Sequence, residues 1–147
     1  MASTVLIDIP TVFVDSSVLF SASLSSTGAA HDLILAAARG QIVLIVSQFV
    51  LLDTQRNLTA KAPRALPPFK AFERAGVAQG SDPPNPLVGQ VAKLVVHKDA
   101  PIVAGAIAAK ASFLASYDRK HLLSQAAVIQ SEYGIVVDTP DNILDRL

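Results

Sequence analysis

Hydrophobic positions along this chain fall into short continuous runs, separated by stretches in which they recur every three or four residues. The first run, Val12-Phe13-Val14, drives into Asp15 and two hydroxyl residues, Ser16 and Ser17. Consecutive rather than alternating apolar positions predict a strand covered on both faces. Residues 41–46, 112–117 and 135–137 read the same way, and Leu94-Val95-Val96 predicts a further short strand. Between these runs the period lengthens. A Ser-rich turn follows the first strand; then Leu33, Ile34, Ala37 and Ala38 predict a helix over 29–39. Thr27 or Gly28 caps its start, and Arg39 followed by Gly40 suits its end. Ser47 predicts the N-cap of a second helix reaching about Leu58. Pro63, Pro67, Pro68, Pro83, Pro84 and Pro86 punctuate residues 61–86, leaving room for one short helix over 69–75. Residues 102–111 are rich in Ala and Gly, so that helix can lie very close to a sheet. A helical stretch over 122–132 and a short one from Thr139-Pro140-Asp141 to Leu147 complete the chain. Strands alternating with helices predict an α/β architecture with a mainly parallel sheet, as one domain over 10–147 behind a lead-in at 1–9.

Composition narrows the function classes. At 147 residues, with 51% hydrophobic and 16% charged positions, the chain can bury a sizeable core and disorder is excluded. Lys+Arg and Asp+Glu both number 12, so no global basic field draws nucleic acid, and any such contact needs a local patch. The absence of Cys removes disulfides, thiolate zinc sites and a Cys nucleophile. Three scattered His residues lack the His-Glu-x-x-His spacing of a zinc hydrolase. No basic n-region opens the chain, and the longest aliphatic run, Ile42 to Val46, is far too short for a bilayer. The expectation is a soluble cytoplasmic protein with no membrane contact.

Four acids stand out by position. Asp15 and Asp118 each end a predicted strand, where an Asp can equally start a turn or cap the next element. Asp99 precedes Ala100-Pro101, an ordinary place for a helix cap. Asp53 follows Phe49-Val50-Leu51-Leu52, a turn apolar all round and therefore expected to be buried. An ionised Asp there needs a cation or a local partner such as Arg56 or Asn57. Together the four say more, because strand ends and the starts of following helices share one edge of a parallel sheet. Close carboxylates repel by about 4 kcal/mol per pair at an effective dielectric near 20, which a cation relieves. Oxygen-only donors point to Mg²⁺ or Mn²⁺ rather than Zn²⁺, and such a site can promote displacement at phosphorus. Other Asp-centred motifs fail: Ser17 breaks Asp-x-Asp, Leu19 breaks Asp-x-Ser-x-Ser, only one acid ends strand one, and no Walker A loop is present.

The chain resembles the PIN-domain family, and within it toxin-like ribonucleases of the VapC kind. Phe13-Val14-Asp15-Ser16-Ser17-Val18-Leu19 is similar to the family's opening strand and its Asp-Ser/Thr motif. Ser47 through Asp53 resembles its second-helix motif, with Asp53 where Glu is usual. Lys98-Asp99-Ala100-Pro101 resembles the third-acid segment, Leu114 through Leu123 the fourth, and Val136-Val137-Asp138-Thr139-Pro140 the closing strand and turn. The resemblance implies a three-layer α/β/α sandwich and a divalent-metal-dependent endoribonuclease, a toxin held in check by an antitoxin protein. Asp15 and Asp99 would be the principal Mg²⁺ or Mn²⁺ ligands, supported by Asp118. Asp53 would bind directly or through water, its side chain being one methylene shorter than Glu. Ser16 or Ser17 would orient a ligand or the scissile phosphate. The family also hints at a homodimer.

Basic residues that can line an RNA channel are Arg56, Lys61, Arg64, Lys110, Arg119 and Lys120. The first three, with Lys70 and Arg74, equally suit a solvated connector. Two other classes stay open: a PIN-like RNA-binding or assembly module that cleaves poorly, and a metal-dependent phosphoesterase acting on small phosphates or DNA.

Overall fold

Apolar runs of three or four residues are too short to stand alone, and they pair instead. The computed structural model describes residues 8–75 and 78–147, with side chains at all of these except Ala78 and Gln79. Seven of the nine lead-in positions therefore lie outside the described residues. Five strands, β1 (Thr11–Val14), β2 (Val43–Val46), β3 (Ala78–Gln79), β4 (Phe113–Ala115) and β5 (Val136–Asp138), form one sheet in the order β3-β2-β1-β4-β5. Every pairing is parallel. In the central register Phe13 lies beside Ile45 on one side and Leu114 on the other. The ladder runs one residue past β1, since Asp15 N donates to Ala115 O at 3.2 Å.

Among the described residues, eight helices surround the sheet: α1 (Ser16–Leu24), α2 (Ala29–Ala38), α3 (Gln48–Lys61), α4 (Leu66–Arg74), α5 (Asn85–Val91), α6 (Ala100–Ala108), α7 (Ala126–Tyr133) and α8 (Pro140–Asp145). Helix α1 packs against α2, α3 and α4, and α2 against α8. Helix α5 packs on α6, which meets β4, and α7 packs on β5. The result is the expected three-layer α/β/α sandwich. Its core is built on Val12, Phe13, Val14, Leu44, Val46 and Leu114, all essentially inaccessible to solvent. The small residues of α6 act as anticipated. A Cβ on Gly105 would lie 2.9 Å from Phe13 Cζ, so only glycine lets the helix backbone sit on that ring. Gly40, at φ +75°, ends α2 in the left-handed region.

Several expectations are corrected. The stretch after Asp15 is not a turn but α1, which Asp15 caps by accepting from Val18 N. Leu94-Val95-Val96 is not a strand. Beside β1 the parallel slot is taken by β4, and the segment turns into a 3₁₀ turn at His97–Asp99, with Val95 buried and its neighbours exposed. The proline-rich region holds α5 as well as α4. Pro67 and Pro86 occupy first-turn positions, where the missing N–H is no loss. Helix α3 runs on to Lys61. Its first turn is amphipathic rather than apolar all round: Val50 and Leu51 are buried, whereas Phe49 and Leu52 are 44% and 59% exposed.

Candidate functional site

Parallel pairing carries every strand end to one edge, and there the chain deposits its acids. Asp15 follows β1, Asp53 lies in the second turn of α3 beyond β2, Asp99 closes the 3₁₀ turn before α6, and Asp118 follows β4. All four line one cleft of about 270 Å³, with Ser16, Phe49, Lys98, Ile102 and Leu122.

Asp15 is 5% exposed and the most tightly held. Its Oδ1 accepts from Ser17 Oγ at 2.5 Å and Val18 N at 3.2 Å, and its Oδ2 accepts from Ser116 Oγ at 2.5 Å. Burial pushes its carboxyl above the ordinary 3.8, and the hydrogen bonds from Ser116, Ser17 and Val18 pull the other way. Both hydroxyls are themselves fixed: Ser17 Oγ accepts from Tyr117 N at 3.0 Å, and Ser116 Oγ accepts from Asp118 N at 2.9 Å. The ends of β1 and β4 are thus tied through the acid. Ser16 makes no such bond and forms part of the cleft wall.

Asp99, also 5% exposed, accepts at Oδ2 from Gln125 Nε2 at 3.2 Å. Asp118 accepts at Oδ1 from His121 N at 3.1 Å. Asp53 is half-buried, and among the described residues it has neither a hydrogen bond nor an ion pair; the local partners Arg56 and Asn57 do not engage it. Lys98 brings a cation into the cleft and is in no ion pair among the described residues.

The donor chemistry fits a hard divalent cation, since carboxylates line the cleft and no imidazole or thiolate does. The geometry is looser. Among the described residues, no three Asp, Glu, His or Cys side chains stand close enough to hold one ion between them. The acids share the walls of one cleft without converging on one point.

The basic residues divide. Arg119 and Lys120 are exposed in the turn directly after Asp118. Arg56 is exposed about one turn beyond Asp53, in a separate depression with Leu52 and Gln55. Lys61 lies eight residues past Asp53 on the same helix, about 12 Å along its axis, and Arg64 follows in the next turn. Lys110 does not join them. It follows α6 in a left-handed conformation at φ +55°, and Ser112 nearby bonds Thr11 O, at the opposite edge of the sheet. Sequence reasoning missed Phe49, Lys98, Ser116 and Gln125. Ser116 had a signal, since a hydroxyl two residues before a strand-end acid shares its side of an extended chain. Gln125 had none, because Val96 and Asp99, the partners that matter, lie in another segment.

No family model matches the chain, and no curated protein does. Solved structures do. PAE2754 from Pyrobaculum aerophilum is 20% identical with a TM-score of 0.64, over 93% of this chain and 96% of that one. Mycobacterium tuberculosis VapC20, described as a sarcin-ricin loop cleaving toxin, is 19% identical with a TM-score of 0.53, over 74% of this chain and 91% of that one. The chain has a PIN-like fold.

Proposed function

We propose that this protein is a divalent-metal-dependent endoribonuclease, the toxin of a toxin–antitoxin pair. The observation that carries the reading is the meeting of four carboxylates, from four separate segments, in one cleft at the carboxyl edge of a PIN-like sheet. Asp15 and Asp99, with Asp118 in support, are the residues that would hold Mg²⁺ or Mn²⁺, directly or through water, and Asp53 would act in the same way. Bound there, such a cation supplies charge stabilisation and an activated water at phosphorus. The chain's own residues do the rest. Ser17 and Ser116 keep Asp15 ionisable despite its burial, and Lys98 faces the phosphate that enters the cleft. Arg119, Lys120 and Arg56 meet the RNA backbone on either side. Hydrolysis adds water across a P–O bond, the hydroxyl remaining on phosphorus and the proton passing to the departing oxygen. The likeness to VapC20 supports an RNA substrate and an antitoxin protein as partner.

The loose spacing of the acids favours one second reading, a PIN-like module that binds RNA without cutting it. Incubation of a mixed RNA pool with Mg²⁺ or Mn²⁺ separates the two. Cleavage by the wild type, abolished by EDTA and by Asp99→Asn, is the expected result. Intact RNA, with calorimetry registering no bound metal, overturns it in favour of the binding module.

A further inference from the structure

Gln125 closes the 3₁₀ turn Leu123–Gln125 just before α7, and its side-chain amide makes three hydrogen bonds. Its Oε1 accepts from Val96 N at 2.7 Å, and its Nε2 donates to Asp99 Oδ2 at 3.2 Å and to His121 O at 2.8 Å. Those partners belong to the two turns that carry acids. One is the 3₁₀ turn entered from Val96 and ending at Asp99. The other runs from Asp118 to His121 and is closed by His121 N on Asp118 Oδ1. A primary amide is the side-chain group that offers one acceptor and two donors from a single planar head. A carboxylate lacks the donors, and an ammonium lacks the acceptor.

We infer that Gln125 is a positioning residue that fixes Asp99 relative to Asp118. The inference rests on reading the cleft as a divalent-cation site. Gln125 occupies Oδ2 of Asp99, and the His121 amide occupies Oδ1 of Asp118, so each carboxylate keeps one oxygen without a hydrogen bond among the described residues. Those two oxygens would face a cation with no competing donor among the described residues. Hydrogen bonds from outside the ligand set hold a ligating carboxylate in orientation, and losing one typically costs about 10–100-fold in metal affinity or activity. Because the same amide also anchors Val96 N, the entry to the Asp99 turn and the acid itself move as one unit.

The test has a metal-free arm and a metal arm. In the metal-free protein, the Gln125 side-chain amide protons, followed by NMR, should lie away from their solvated position and move when Asp99→Asn is introduced. Solvated resonances indifferent to Asp99→Asn overturn the inference whatever the cleft binds. In the metal arm, Mn²⁺ is titrated by calorimetry into wild type, Gln125→Met, Gln125→Glu and, as a control, Gln130→Met on the exposed side of α7. Gln125→Met keeps the length of the side chain and removes all three bonds. It should weaken Mn²⁺ about tenfold or more and lower kcat with little change in KM for RNA. Gln130→Met should match wild type. Should Gln125→Met not fold, Gln125→Glu still accepts from Val96 N while losing the donation to Asp99, and it should change the affinity for Mn²⁺. Wild-type affinity in both Gln125 variants overturns the inference, whereas no Mn²⁺ binding by wild type overturns the cation reading beneath it.

Discussion

A single side chain at the end of β1, Asp15, caps α1, accepts three hydrogen bonds and lines the cleft, all while buried. Its raised carboxyl pKa makes it a liability to the metal-free fold. The folded state binds this proton more tightly than the unfolded chain, so Asp15 contributes stability below pH 3.8. That stability is lost as pH rises from 3.8 through the folded value. Metal-free Asp15→Asn should therefore melt higher than wild type at pH 7, by about 2–4 °C for each kcal/mol of relief. In differential scanning calorimetry the gap should close toward pH 3.8, and RNA cleavage should be lost. Ser116→Ala is expected to act the other way. It strips a donor from Asp15 Oδ2 and an acceptor from Asp118 N, both at a fully buried position. Urea unfolding should show a loss of about 1–3 kcal/mol. Asp15, Asp99 and Asp118 were legible in the sequence because a strand end or a helix start marks each, whereas Asp53 was singled out for a burial it has only in part. Gln125 and Lys98 were not, since their significance comes from what lies across the cleft.

Among the elements, the close seat of α6 on the sheet is the most exacting. Phe13 is 1% exposed and lies under Gly105, so the methyl of Gly105→Ala must lift the helix or displace the ring. Overpacking of this kind costs roughly 1–3 kcal/mol, readable as a lower urea midpoint. Because Asp99 immediately precedes α6, the same variant should also weaken Mn²⁺ binding. Gly89→Ala is a useful contrast, for a Cβ there meets nothing within 4 Å. The α6 seat was readable from its run of Ala and Gly. Helix α1 was obscured by Ser16, Ser17, Ser21 and Ser23, whose hydroxyls compete for backbone partners; Ser23 does bond Leu19 O at 2.7 Å. Helix α5 was obscured by Pro84 and Pro86, which in fact sit at its N-cap and in its first turn. Leu94–Val96 carried a strand's composition, but the slot beside β1 goes to β4 instead, a fact no local window contains.

Across the whole molecule, neutral net charge means that the proposed RNA affinity must come from where cations are placed. Arg119→Ala and Lys120→Ala should each weaken RNA binding and reduce the slope of log K against log salt by about 0.7 per lost phosphate contact. Lys110→Ala, at the opposite edge, should leave both unchanged in a fluorescence-anisotropy titration. The α/β class and parallel sheet were legible in the alternating runs, whereas strand order was not, because pairing of β1 with β4 spans about a hundred residues that no local pattern reports.

That long-range pairing also has a consequence in time. Asp15 is synthesised about a hundred residues ahead of its partner Ser116 and of the fourth acid, Asp118. A growing chain therefore holds an unfinished cleft until β4 docks beside β1.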